Sequence, residues 1–145
     1  MGHRDKVKKL GMKTPHREAM FANMAMSLVQ YRMIKTTDAK AKALRPLVDR
    51  LISTAKKDTL ASRRQVARTI HIKEVFKKFY DEVVPQFKER NSGFTRIMRL
   101  GVRRGDGAPM SVVELLTAKP VVEKPSKAKK GAKVGKEAEP AKAEA

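Results

Sequence analysis

Apolar positions recur at helical spacing in several stretches of this chain and alternate in others. In the stretch that opens at Thr14, the residues Met20, Phe21, Met24, Ala25, Leu28 and Val29 repeat every three or four positions, which predicts a helix. Thr14 offers a hydroxyl to the free N–H groups of the first turn, Pro15 suits the first helical position, and Glu18 agrees with the helix dipole. The apolar surface is wide, interrupted mainly by Asn23 and Ser27, so this helix should be buried on most sides. Tyr31 to Thr36 (YRMIKT) is rich in strand formers and predicts a short strand. A second helix follows from Asp38 to about Lys57, capped by Thr37 or a neighbour. Its stripe is Leu44, Leu47, Val48, Leu51, Ile52 and Ala55, with Lys40, Lys42, Arg45 and Arg50 off it. Pro46 should kink this helix or break it in two. Asp58 or Thr59 caps a shorter third helix carrying Arg63, Arg64 and Arg68. The fourth, from about Ile72 to Val84, carries Ile72, Val75, Phe76, Phe79, Tyr80, Val83 and Val84 on one stripe and ends at Pro85.

Beyond that point the period changes to two. From Phe94 to Arg103, alternation puts Arg96, Met98, Leu100 and Val102 on one face and Thr95, Ile97, Arg99 and Arg103 on the other. Met110 to Leu116 reads as a second strand, joined to the first through RGDGAP as an antiparallel hairpin. The pattern predicts a two-layer α+β domain over residues 14–116, in the order helix, strand, three helices, two strands. Residues 1–13 form a basic, Gly-punctuated arm without hydrophobic periodicity, expected to order only on a phosphate surface. Residues 117–145, a tail of Lys, Ala, Pro and Glu, are expected to be disordered.

Charge changes the picture most. The 145 residues include 34 Lys and Arg against 15 Asp and Glu, a formal net charge of +19. Such a chain attracts polyanions: nucleic acid, an anionic membrane surface or acidic proteins. Aromatics are 5% of the chain and Trp is absent, which argues against stacking platforms for single-stranded bases. The absence of Cys excludes disulfides, thiolate metal sites and a Cys nucleophile, and fits a reducing cytosol. No apolar run approaches a membrane span, and MGHRDKVKKLG lacks the apolar stretch of a secretory signal, so it reads as part of the working protein.

Catalytic patterns are thin. His16 and Glu18 stand two apart, and on a helix such residues do not face each other. His3, His16 and His71 show no metal-ligand spacing, and no phosphate-cradling G-x-x-x-x-G-K-[ST] loop occurs. No cofactor, metal or small-molecule substrate is implied. A phosphate-binding reading is simpler. The start of the first helix presents unpaired N–H groups, to which His16 and Arg17 add donors, while the arm brings Arg4, Lys6, Lys8, Lys9 and Lys13 to the same end. The strand after Phe94 supplies Arg96, Arg99, Arg103 and Arg104, and Arg suits phosphate because its planar fork donates two parallel hydrogen bonds. Lys35, Thr36 and Thr37 form a third small group at a strand end and helix start. A basic domain with scattered Arg and no helix-turn-helix, zipper or zinc-finger pattern suits backbone recognition of folded RNA. The residues alone leave open a chromosome-coating DNA-binding protein and a nucleic-acid-processing enzyme.

Four blocks then carry a resemblance: GHR near the start, HREAMFANMAMSLV, IKTTDAKAKALRPLVDRLI and GFTRIMRLGVRRGDGAPMSVVELL. In order and spacing, from Gly2 to Leu116, they resemble the bacterial ribosomal protein seventeen family of the large subunit; the tail lies outside the resemblance. The resemblance implies a small mixed three-stranded sheet with helices packed on it. It also implies binding to large-subunit ribosomal RNA, neighbouring ribosomal proteins near the tunnel exit, a role in structure and assembly rather than catalysis, and a place in the cytoplasmic ribosome. The RNA contacts it implies are His3, Arg4, Lys9, His16, Arg17, Asn23, Lys35, Thr36, Thr37, Arg96 and Arg103. Ala22, Gly2, Met12 and Pro46 depart from the family's pattern.

Overall fold

A computed structural model describes residues 8–116. The first helix, α1 (Thr14–Tyr31), begins one residue earlier than Thr14 capping requires. The Arg17 N–H donates to the Lys13 carbonyl at 3.0 Å, so Lys13 is the N-cap and Pro15 takes the second helical position. Phe21, Ala25, Met26, Leu28 and Val29 are buried. The helix runs to Tyr31 because Arg32 ends it in the left-handed conformation, φ 64°, its N–H donating to the Leu28 carbonyl at 2.9 Å. The strand expected from Tyr31 is therefore shorter, β1 (Met33–Thr37).

Helix α2 (Asp38–Ala55) passes through Pro46 without dividing. Pro46 removes the donor to the Lys42 carbonyl, but both residues are exposed, where water can serve that carbonyl. Ala41 and Leu44 before it and Val48 and Ile52 after it are buried in one core, which keeps the two halves in one continuous helix. Thr59 caps α3 (Leu60–Ala67) through a reciprocal box with Ser62: the Ser62 N–H donates to Thr59 Oγ1 at 3.2 Å, and the Thr59 N–H to Ser62 Oγ at 3.0 Å. Arg68 falls at the helix end.

The fourth helical segment does not stop at Val84. Helix α4 (Lys73–Lys78) widens into a π turn at Phe79–Val83 and tightens into a 3₁₀ turn at Val84–Phe87. Pro85 opens that last turn, where a missing N–H costs little. The change of winding lets Phe79, Val83, Val84 and Phe87 all reach the core, while Ile72, expected on the buried stripe, is exposed.

Strands β2 (Thr95–Val102) and β3 (Pro109–Leu115) form the expected hairpin. The sheet order is β1-β3-β2 and both pairings are antiparallel, which corrects the mixed sheet implied by the resemblance. The reason is directional: β1 runs toward the start of α2, and β3 enters from that same end through the hairpin loop. Helices α1 and α2 pack on one sheet face, α2 touching all three strands, so the two-layer α+β plan holds. Phe87 and Phe94 meet edge to face at 5.1 Å at the base of the hairpin.

Candidate nucleic-acid interface

Directly opposed residues of a sheet share a face, so the register sorts the side chains. Ile34, Val113 and Ile97 form one row toward the helices, continued by Thr36, Ser111 and Arg99. Met33, Glu114 and Arg96 form the outer row, followed by Lys35, Val112 and Met98. A bulge between Arg99 and Gly101 then breaks the alternation. Gly101 pairs with Met110 and Val102 with Pro109, so beyond the bulge each residue lies on the face opposite to the one expected. Arg103 thus leaves the face of Arg99 and joins the outer face, its N–H donating to the Ala108 carbonyl at 2.8 Å. Gly101, at φ 121°, takes a conformation that a side chain would resist.

This shift gathers cations that the chain spacing keeps apart. Lys35, Arg103 and Arg104 line one shallow depression of about 210 Å³ with Leu100, Gly101 and Met110. Arg99 lies across the same sheet end, near Asp38 at the start of α2. Asp38 accepts from Ser111 Oγ at 3.1 Å and pairs with Lys42 at 2.6 Å, and these bonds hold its carboxyl below the usual range. Thr36 and Thr37 are half-buried beside it, and Thr37 is the α2 N-cap.

The two other strand arginines already have partners. Arg96 reaches Glu114, its cross-strand neighbour, at 3.3 Å. Arg103 grips Asp106 with both Nε, at 2.9 Å, and Nη2. That grip and the Ala108 N–H lower the Asp106 carboxyl to about 2. Lys35, Arg99 and Arg104 make no ion pair among the described residues.

On α1, His16 and Asn23 are exposed and Arg17 is half-buried; Lys8, Lys9 and Lys13 precede them, exposed. Between these lysines, Leu10 turns through φ 53° and packs against the core, fixing the chain that enters the helix. His16 and Glu18 form no side-chain hydrogen bond among the described residues. No group of three metal-binding side chains occurs there either. His3, Arg4 and Lys6 lie outside the described residues, as do the predicted tail, 117–145, and the first part of the predicted arm.

Sequence reasoning missed Arg32. Its side chain is 5% exposed and pairs with Glu82 on the π turn at 2.6 Å, while its carbonyl accepts from the Leu115 N–H. It ties α1, the π turn and β3 together. The signal was a charged residue immediately after an apolar helix, and it was absorbed into the strand reading.

A family model described as ribosomal protein L17 matches residues 20–116, most of α1, all of α2, α3 and α4 and the whole sheet among them. The chain belongs to the ribosomal protein L17 family. Proteins named large ribosomal subunit protein bL17 are similar across most of the chain. That of Geobacter metallireducens is 44% identical over 138 residues, 95% of this chain and 75% of its own length. That of Fusobacterium nucleatum is 43% identical over 116 residues, 80% of this chain and all of its own length. That of Pelobacter propionicus is 46% identical over 116 residues, 80% of this chain and 91% of its own. The 138 residues aligned with the Geobacter protein outnumber those ahead of Thr117, so the likeness of this L17 family member extends into the tail, beyond the Gly2–Leu116 resemblance.

Proposed function

We propose that this L17 family protein is a structural constituent of the large ribosomal subunit, that its folded domain (residues 14–116) binds ribosomal RNA through backbone phosphates, and that residues 1–13 and 117–145 flank that domain as a basic arm and a tail. The observation that carries the reading is the convergence of Lys35, Arg103 and Arg104 on one depression, from strands far apart in the chain. Three cations in one shallow, open place match a phosphate ridge better than an enclosed small-molecule site. Arg99 extends the same end, and His16 and Arg17 at the start of α1, with the lysines before it, form a second phosphate-facing group. Its role is structural and supports subunit assembly; other large-subunit proteins near the tunnel exit are its neighbours. The outer sheet face, which keeps Met33, Met98 and Leu100 exposed, supports protein contact beside RNA contact.

The test is filter binding of the full chain to a large-subunit ribosomal RNA transcript over a salt series. With Lys35→Gln and Arg104→Gln together, the slope of log affinity against log salt should fall by about 2, since each phosphate contact contributes nearly one. A slope equal to the parent's would remove this end from the interface. Equal affinity for duplex DNA would favour a chromosome-coating role instead.

A further inference from the structure

A second concave surface has no part in the interface above. It lies between α1, α2 and α3, holds about 470 Å³, and is floored by Phe21 and Val66, both buried. Leu47 and Leu51, one turn apart on α2, form a wall and stay half-buried although they belong to the stripe expected to close the core. Gln65 and Thr54 add an amide and a hydroxyl. Arg50 and Arg68 stand at the rim, exposed, and neither makes an ion pair among the described residues.

Apolar walls, a few neutral hydrogen-bonding groups and two guanidinium groups suit the three chemistries of one nucleotide: base face, base edge and phosphate. The volume lies in the range of about 300–1,000 Å³ in which small ligands are held. Folded RNA offers such a group wherever a loop or bulge splays a base out of its stack, and a guanidinium plane can cover that base as well as grip its phosphate. The net charge of +19 favours a phosphate-bearing occupant. We infer that the α1–α2–α3 groove takes a single unstacked nucleotide of RNA, its base against Leu47, Leu51 and Val66 and its phosphate between Arg50 and Arg68. This rests on the ribosomal RNA-binding reading and adds to it a site on a different set of elements from the cationic sheet end.

The experiment uses the full chain and the same large-subunit ribosomal RNA transcript, in filter binding over a salt series. Arg50→Gln with Arg68→Gln changes two exposed side chains, so the fold should survive; affinity should fall about tenfold and the salt slope by about 1 to 2. Ala43→Trp, which fills the groove from its wall, should weaken binding about fivefold and leave the slope unchanged, because it removes space and not charge. The Lys35→Gln, Arg104→Gln variant runs beside them. If that variant weakens binding while both groove variants bind like the parent, the groove inference is overturned and the RNA-binding reading stands. If all three bind like the parent, both are overturned. Groove variants that bind RNA normally but fail to join large subunits in reconstitution would assign the groove to a protein partner and overturn the inference.

Discussion

The two ends of the β2–β3 hairpin differ in burial and charge, although the same strands make both. At the near end Thr95, Val113 and Leu115 are buried, Phe94 is sealed under Phe87, and Arg32 and Glu82 close the corner. At the far end Leu100 is 52% exposed and Val102 74%, and Lys35, Arg99 and Arg104 make no ion pair among the described residues. The far end of the sheet lies outside the cover of the helices. Its covered half supplies stability, and its uncovered half is left to carry charge that a core would not tolerate.

Mutations should separate the halves. Phe94→Ala removes a fully buried ring and should cost about 4 kcal/mol, read as a large loss in a denaturant titration. Salt-dependent RNA binding should survive wherever the variant remains folded; binding lost in parallel with stability at permissive temperature would erase the distinction. Glu82→Gln leaves the Arg32 guanidinium buried without its counter-charge. Because Glu82 is itself half exposed, the expected cost is about 2 kcal/mol, below that of a wholly buried pair. At the far end, Arg99→Gln with Arg104→Gln should change stability by no more than about 0.5 kcal/mol. The same pair should reduce the salt slope of RNA binding, the reverse of the Phe94 result.

The smallest effect concerns pH. The Asp106 carboxyl is held at about 2, below its ordinary value near 4, by Arg103 and the Ala108 N–H. The contact's contribution is therefore present above about pH 4 and is lost as pH falls through about 2. Because the group is exposed, only the hairpin tip should respond. Carbon-detected titration of Asp106 checks this, and a midpoint near 4 would mean that the grip of Arg103 is absent in solution.

The order of elements was legible because each amphipathic stripe is long and each period distinct. The Thr59 cap and the hairpin were equally readable, since they depend on neighbours in the chain. The break that Pro46 suggests does not occur, because buried residues on either side of it keep the helix continuous. The stop that Pro85 suggests fails for a related reason: a switch in helical winding, driven by what four apolar side chains must reach, has no local signature. At the candidate interface, Lys35, Arg99, Arg103 and Arg104 were all readable as cations at strand ends. The convergence of Lys35 with Arg103 and Arg104 was not, because alternation was carried through Gly101 unbroken. A glycine inside an alternating strand was the available hint. Arg50 and Arg68 stayed anonymous because nothing in one helix reveals a groove shared by three.

The bulge has a consequence for the protein before it meets its partners. Among the described residues each outer strand of the sheet pairs on one side only, and eight residues of β2 could template the strand of another molecule. An irregular step beside Arg99 twists that edge and interrupts the ladder. Deleting Leu100 would straighten it into an unbroken ladder edge, and newly made chains would then pair edge to edge more readily. A kink that aims an arginine also interrupts the edge on which another molecule would pair.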